Sequence, residues 1–162
     1  MIDRRTLLGA GGASLIGGIA LFGSTRGSEA RAANFEVKLS EAEWKKRLPP
    51  ERYAVLRQEN TERSGSSPLN KEKRKGTYVC AGCGLPLYSS ATKFESGTGW
   101  PSFWKPLPNA IGTRKDNSLF FTRTEVHCRR CGGHLGHVFD DGPKPTGLRY
   151  CMNGLAMNFR PA

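Results

Sequence analysis

The chain has 162 residues, of which 25 are Lys or Arg and 14 are Asp or Glu, giving a formal net charge of +11. This length suits one ordinary domain and excludes a multidomain protein. Hydrophobic residues make up 37%, and the chain holds 20 glycines and 10 prolines. This composition indicates a compact, turn-rich fold and argues against both a disordered chain and one built from long helices.

The first 32 residues have the pattern of an export signal. Arg4-Arg5 is followed by residues 6–23, which carry no charge and include ten apolar residues and six glycines. A membrane anchor is the alternative, but glycine weakens a helix and a span needs about 20 predominantly apolar residues. Ala30-Arg31-Ala32 has the small-x-small form of a signal cleavage site. We therefore expect residues 33–162 to form the mature domain.

The residues from Asp3 to Gly9 resemble a bacterial twin-arginine signal, which implies export of the folded protein to the periplasm or another exported location. Residues 1–32 hold four of the 25 basic and two of the 14 acidic residues, so the mature domain keeps a formal charge of +9. Basicity therefore belongs to the domain itself and favours acidic surfaces without identifying one.

Two short helices are predicted at the start of the mature domain. Ser40-Glu41-Ala42-Glu43 has capping-box spacing ahead of Trp44, and Pro49-Pro50 ends this first helix. Pro50 also suits the opening of a second helix, Glu51–Gln58. Residues 61–76 are polar and basic, which is typical of an exposed loop.

From Thr77 onward, short runs rich in Val, Tyr, Phe and Thr alternate with turn residues, which is typical of strands. The predicted fold class is therefore mainly β. Asp116-Asn117 predicts a hairpin turn between two of these strands. The predicted strands are Gly76–Val79, Pro86–Ser89, Ala110–Arg114, Leu119–Val126, His134–Phe139, Arg149–Met152 and Ala156–Phe159.

Four of the five cysteines form two Cys-x-x-Cys-Gly turns, separated by 44 residues. Two such turns supply a closed tetrahedral set of thiolates, which predicts one structural zinc ion per chain. Two disulfides, a redox Cys-x-x-Cys pair and an iron site are the alternatives. The predicted zinc ligands are Cys80, Cys83, Cys128 and Cys131.

The fifth cysteine, Cys151, is a candidate nucleophile. Arg149 lies two residues away on the same side of a predicted strand, and all three histidines of the chain fall between His127 and His137. A cation stabilises a thiolate, and a histidine can give or take the proton that thiol chemistry needs. The alternative is that Cys151 is a small core residue.

Four motifs stand in order: Gly99–Phe103, His134–Phe139, Asp141–Pro143 and Arg149–Asn153. Together they resemble methionine-R-sulfoxide reductase, the B type, and the likeness covers nearly all of Leu39–Phe159 with both cysteine turns. The resemblance implies a β-tent-like fold of two antiparallel sheets and a structural zinc. It also implies a repair enzyme in residues 33–162 that reduces the R epimer of methionine sulfoxide in oxidised peptides and proteins.

The resemblance assigns catalytic roles to five residues. Cys151 is the nucleophile and His137 the proton donor to the sulfoxide oxygen, because sulfoxide sulfur is a poor electrophile until that oxygen is protonated. His134 helps to hold the oxygen, Asp141 orients the site and Arg149 favours the thiolate. Packing within a strand is the alternative for both histidines.

Three further residues are expected on the substrate side. Trp100 offers an aromatic face to the S-methyl group, and Phe159 is expected to complete that wall. Asn153 matches a hydrogen-bonding position of the family. A core tryptophan and a turn asparagine are the alternatives.

Two-cysteine members of the family carry a resolving cysteine where this chain has Thr98, and the chain holds no sixth cysteine. After oxygen transfer, Cys151 becomes a sulfenic acid. We therefore expect an external reductant, either thioredoxin-like or a small thiol, rather than an internal disulfide.

Two other classes of function are the alternatives. A zinc-ribbon-like module that binds nucleic acid fits the charge and Arg129-Arg130 at a cysteine turn. A zinc-stabilised structural protein is the other. Both leave Cys151 and the histidines unexplained, and an export signal argues against nucleic acid. We expect no nucleic-acid partner and no stable membrane association after signal cleavage.

Overall fold

The computed structural model describes residues 35–117 and 121–162, so the predicted export signal lies outside the described residues. Helix α1 spans Glu41–Arg47 and helix α2 spans Pro50–Gln58. The predicted capping box is confirmed: the Glu43 amide donates to Ser40 Oγ at 3.3 Å, and the Ser40 amide donates to the Glu43 carboxylate at 2.7 Å. Within the described ranges, no helix is long and apolar enough to cross a membrane.

In the described part of the chain, nine strands follow the helices and form two antiparallel sheets, which confirms the predicted mainly β class. The smaller sheet has the order β2-β1-β9, and the larger has the order β3-β4-β8-β7-β6-β5. The strands are β1 Gly76–Cys80, β2 Pro86–Ser89, β3 Lys93–Phe94, β4 Ser102–Phe103, β5 Ile111–Asp116, β6 Arg123–Cys128, β7 His134–Phe139, β8 Arg149–Met152 and β9 Met157–Pro161.

The predicted bounds of β2, β7 and β8 are confirmed, and those of β1, β5 and β9 differ by one or two residues. Strands β3 and β4 are not predicted because two residues are too few to show an alternating pattern. Residues 119 and 120 of the predicted strand Leu119–Val126 lie outside the described residues. The observed strand β6 begins at Arg123.

The predicted hairpin turn is wrong at Asp116. This residue is the last one of β5 and pairs in register with Arg123 of β6. The Arg123 guanidinium lies 2.7 Å from the Asp116 carboxylate. This cross-strand ion pair stabilises the β5–β6 pairing at Asp116, where the residue composition predicts a turn. Asp116 is therefore part of strand β5 and not of a turn.

The core lies where the two sheets meet. Tyr78 and Tyr88 of the small sheet pack on Phe103 of the large one, with ring centroids 4.8 Å and 4.4 Å from that of Phe103. All three rings are fully buried. Helix α2 buries Val55 and Leu56 and contacts β7. The large sheet is thus supported by both the small sheet and a helix.

Strands β7 and β8 approach each other closely at Gly136. A Cβ atom built on Gly136 would lie 2.1 Å from the Cys151 carbonyl oxygen and 3.0 Å from Met152 Cα, and the φ of Gly136 is 153°. Any larger residue would push these strands apart. Glycine at this position therefore brings the two central strands together beside Cys151.

Candidate active site and metal centre

Four cysteine thiols converge at the junction of the two sheets. Cys80 ends β1 and Cys128 ends β6, and each is followed by a turn in which the amide of a glycine donates to the cysteine carbonyl. These bonds run from Gly84 to Cys80 at 2.8 Å and from Gly132 to Cys128 at 2.9 Å. The converging thiols are those of Cys80, Cys83, Cys128 and Cys131.

The spacing of these sulfurs suits a tetrahedral metal ion. Cys80 and Cys131 are 3.7 Å apart, Cys83 and Cys128 are 3.5 Å apart, and all four sulfurs lie within 4.8 Å of one another. Metal–sulfur bonds of about 2.3 Å in a regular tetrahedron place sulfurs about 3.8 Å apart. The cluster can therefore hold a metal with four protein ligands, and it would join β1 of one sheet to β6 of the other.

Cys151 occupies the middle of the large sheet. In register, it faces His137 of β7 on one side and Ser102 of β4 on the other. Directly opposed residues of antiparallel strands point to the same face. Thr98 also reaches the thiol, with its hydroxyl oxygen 3.8 Å from the Cys151 sulfur. The nucleophile predicted from sequence is half-buried and shares its surroundings with a histidine.

A cavity of about 130 Å³ opens beside the Cys151 thiol. It brings together four of the residues predicted for the site and adds four that were not, among them Phe139. Because Phe139 and His137 are two residues apart on β7, strand alternation alone places them on one face. The lining residues are Thr61, Trp100, Arg123, Gly136, His137, Phe139, Cys151 and Asn153.

His137 is held by a carboxylate from the β5–β6 hairpin. Its Nε2 lies 2.7 Å from Asp116 Oδ2, which also binds Arg123. Burial lowers the pKa of His137 below its ordinary 6.5, and the hydrogen bond to Asp116 works against this effect. Because the unfolded chain then binds a proton at His137 more tightly than the folded one, the free energy of unfolding decreases as the pH falls below about 6.5.

His134 lies behind His137 rather than on the cavity wall. Its ring is 2% exposed, stands 5.4 Å from that of His137, and places Nδ1 2.7 Å from Glu125 Oε1. The second oxygen of Glu125 binds Arg114. Nε2 of His134 is buried and has no hydrogen-bond partner in the described part of the chain. His134 is thus buried next to the His137 ring and is not among the residues that line the cavity.

Arg149 and Asp141 form a two-bonded ion pair, with both nitrogen–oxygen distances at 2.8 Å. The Asp141 carboxylate is the main cause of a raised pKa of Arg149, and the Cys151 sulfur adds to it. The guanidinium also lies 4.4 Å from the centre of the Phe139 ring. Asp141 therefore fixes a permanent positive charge next to the nucleophile.

On the substrate side, the structure brings Trp100 and Asn153 to the cavity. Asn153 is 3% exposed, and its amide group accepts a hydrogen bond from the Glu62 main chain at 2.9 Å and donates to the Leu135 carbonyl at 3.2 Å. The Trp100 indole nitrogen donates to the Glu62 carbonyl at 3.1 Å. Both side chains are therefore fixed in place by main-chain groups.

The structure does not bring Phe159 to this cavity. Its ring packs on Tyr78, with centroids 5.0 Å apart, and the guanidinium of Arg74 lies 5.3 Å from the ring centre. Phe159 lines a separate cavity of about 460 Å³. The aromatic residue that accompanies Trp100 beside the thiol is Phe139.

Residues 48–161 match the model of the SelR domain family. The chain belongs to this family. Among curated SelR-domain relatives, the "Peptide methionine sulfoxide reductase MsrB" of Leptospira interrogans is 54% identical over 128 residues, covering 78% of this chain and 98% of the relative. The protein of the same name from Methanosarcina barkeri is 57% identical over 125 residues, covering 76% and 88%.

A plant relative extends the likeness to a longer protein. The "Peptide methionine sulfoxide reductase B1, chloroplastic" of Arabidopsis thaliana is 53% identical over 122 residues, which are 75% of this chain and 60% of the relative. The region matched by the SelR model, residues 48–161, contains both cysteine turns and all the cavity residues described above.

Replacing Asp116 by Asn is expected to lower the pKa of His137 further. The carboxylate opposes the effect of burial, and its loss leaves the positive charge of Arg123 beside the ring. An NMR titration of the His137 ring should give a midpoint at lower pH than in the unmodified chain. Asp140→Asn removes the same charge from an exposed position and should leave the midpoint unchanged. A shift that is upward, or equal in both variants, would contradict the pairing.

Proposed function

We propose that the chain reduces the R epimer of methionine sulfoxide in peptides and proteins, with Cys151 as the nucleophile. The observation that carries this proposal is the pairing of Cys151 with His137 across two strands, at a small cavity with an aromatic wall. Family membership and the names of relatives about 50% identical support the same chemistry.

In the first step, the Cys151 thiolate attacks the sulfoxide sulfur while His137 gives a proton to the sulfoxide oxygen. The sulfur–oxygen bond of the substrate and the transient bond between the two sulfurs then break, and the hydroxyl moves to the cysteine sulfur. The products are methionine and a Cys151 sulfenic acid. The substrate is reduced by two electrons and the cysteine is oxidised by two.

The charges around the thiol fit this step. Arg149 places a positive charge beside the thiolate, and Asp141 keeps the guanidinium in position. Asp116 stabilises the protonated His137 ring from the side of Nε2, which leaves Nδ1 for the substrate. Trp100 and Phe139 present apolar surface to the S-methyl group.

The sulfenic acid is proposed to be reduced by a thiol from outside the chain. Thr98 reaches the Cys151 sulfur from the position where two-cysteine relatives hold a resolving thiol, and its hydroxyl cannot form a disulfide. A thioredoxin-like protein or a small thiol would form a mixed disulfide with loss of water. A second thiol would then release Cys151.

We propose zinc as the ion held by the four-thiol cluster, with a structural role. All-thiolate tetrahedral sites favour this metal, and four protein ligands leave no position for a substrate. When bound, the ion would fix the start of both cysteine turns and tie the two sheets together. It takes no part in the sulfoxide chemistry.

Export by a twin-arginine route is proposed from the first 32 residues. Arg4-Arg5, the uncharged residues 6–23 and the small residues around Arg31 support it. Transport of a folded chain would also keep the four thiols within their metal site on the way to an oxidising compartment.

The activity is tested by assaying both sulfoxide epimers with a chemical thiol as reductant. The unmodified chain should turn over the R epimer, and Cys151→Ser should abolish turnover because serine is a far weaker nucleophile at neutral pH. His137→Gln should slow the reaction by about 10²–10⁴-fold, whereas His127→Gln, outside the cavity, should not. Equal turnover of both epimers, or activity in Cys151→Ser, would refute the proposal.

The metal assignment predicts one zinc per chain by elemental analysis. Replacing Cys128 by Ser should remove the ion and unfold the domain, because a structural zinc site contributes about 10–16 kcal/mol and a domain of this size is stable by about 5–15 kcal/mol. Circular dichroism measures the loss of structure. Cys151→Ser removes a thiol outside the cluster and should keep both metal and fold. Fully active protein without bound metal would overturn the assignment.

The recycling route predicts that oxidation without a reductant leaves Cys151 as a sulfenic acid that dimedone traps. In Thr98→Cys, the new thiol replaces a hydroxyl 3.8 Å from the Cys151 sulfur and should form a disulfide with it. Ser66→Cys places a thiol at an exposed position outside the cavity beside Cys151 and should form no such disulfide. Mass spectrometry of the oxidised chains distinguishes these products. A disulfide from Cys151 to a cluster cysteine in the unmodified chain would contradict the route.

Export is tested by expressing the full chain in a bacterium and separating periplasm from cytoplasm. Replacing Arg4 and Arg5 together by Lys should keep the charge and abolish transport, while Arg26→Lys should leave transport unchanged. Equal distribution of both variants would show that the arginine pair is not an export signal.

A further inference from the structure

Glu62 lies in the loop after helix α2 and is only 7% exposed, although this loop is predicted from sequence to be solvent-facing. A buried carboxylate needs hydrogen-bond donors to offset the loss of solvation. Its donors here are main-chain amides at the end of strand β8, more than 90 residues away. Glu62 therefore joins the loop to the strand that carries Cys151.

The carboxylate accepts two hydrogen bonds. The Gly154 amide donates to Oε1 at 2.7 Å, and the Leu155 amide donates to Oε2 at 2.8 Å. Both amides belong to the turn that begins directly after Asn153. A Cβ on Gly154 would lie 1.9 Å from Ser67 Oγ, so the turn packs tightly against this loop. The carboxylate thus fixes the main chain next to Asn153.

The main chain of Glu62 binds both substrate-side residues. Its amide donates to Asn153 Oδ1 at 2.9 Å, and its carbonyl accepts from the Trp100 indole nitrogen at 3.1 Å. These bonds determine which end of the Asn153 amide faces away from the loop and how the Trp100 ring is oriented. One residue therefore controls the placement of two residues from separate parts of the chain.

The same loop is bound to the other side of the cavity. Ser64 Oγ donates to the Thr98 carbonyl at 3.0 Å, and the Gly65 amide donates to the Gly99 carbonyl at 2.8 Å. Thr61 itself lines the cavity. Residues 61–65, here called the clip, therefore run from the nucleophile strand to the segment that precedes Trp100.

We propose that Glu62 is a positioning residue for substrate binding, with its carboxylate anchoring the clip so that Trp100 and Asn153 keep their orientation toward the sulfoxide. This inference rests on the proposed function. Glu62 touches neither the Cys151 thiol nor His137 in the described contacts. Its loss therefore acts on substrate affinity and leaves the reactivity of the thiol unchanged.

The test compares Glu62→Gln with Glu51→Gln. Glutamine keeps the size of glutamate but turns an NH₂ group toward a main-chain N–H, so one of the two hydrogen bonds is lost. Glu51 is exposed and lines the separate cavity that contains Phe159, not the one beside Cys151. Glu62→Gln should raise KM for an R-sulfoxide peptide by about tenfold or more, with the rate of Cys151 alkylation by iodoacetamide unchanged. Glu51→Gln should match the unmodified chain in both.

Two measurements distinguish positioning from a general loss of stability. The indole N–H signal of Trp100, assigned with Trp100→Phe, should move in Glu62→Gln. In the Trp100→Phe background, Glu62→Gln should raise KM by a smaller factor, because part of its effect passes through the indole. An unmoved signal, or a fall in kcat with unchanged KM, would overturn the inference.

If Glu62→Gln does not fold, Glu62→Asp replaces it, since aspartate keeps the charge and two acceptor oxygens. A raised KM with unchanged alkylation supports the inference, and two unfolded variants overturn it, because the residue would then serve the fold. If the unmodified chain reduces no R-sulfoxide, the proposed function fails. If that chain is active and Glu62→Gln keeps its KM, only the present inference fails.

Discussion

The register between β7 and β8 is the constraint on which the site depends. It sets His137 opposite Cys151, and it holds because Gly136 allows the two strands to come within a distance that no side chain would permit. A shift of the β7–β8 register by one residue would turn His137 to the other face of the sheet. Gly136 or Val138, neither of which can donate a proton, would then lie opposite Cys151. The chemistry therefore depends on backbone packing as much as on the identity of the two side chains.

The β5–β6 hairpin supplies a carboxylate to each of the two histidines on strand β7. Glu125 binds His134 and Asp116 binds His137, both at 2.7 Å. A buried imidazole without such a partner would have an undetermined tautomer and ring orientation. The hairpin therefore supports the site by holding both histidine rings.

The sequence predicted most of what is encoded locally. The two cysteine turns, the capping box at Ser40 and the neighbours of Cys151 depend on spacings of a few residues, and the structure places the corresponding groups together. The roles of Asp116 and Glu62 at the site were not predicted. Their partners, His137 and Asn153, lie 21 and 91 residues away, and no local sequence pattern marks such contacts. Phe139, rather than Phe159, lies at the cavity because which sheet face meets the thiol depends on tertiary packing.

The small volume of the cavity determines what the site can select. A cavity of about 130 Å³ has room for the end of one side chain and little more. With little contact to flanking residues, the site has few means to discriminate among sequences. The choice of substrate would then pass to the oxidised protein itself, because a damaged methionine can enter only where local unfolding or an exposed loop presents it.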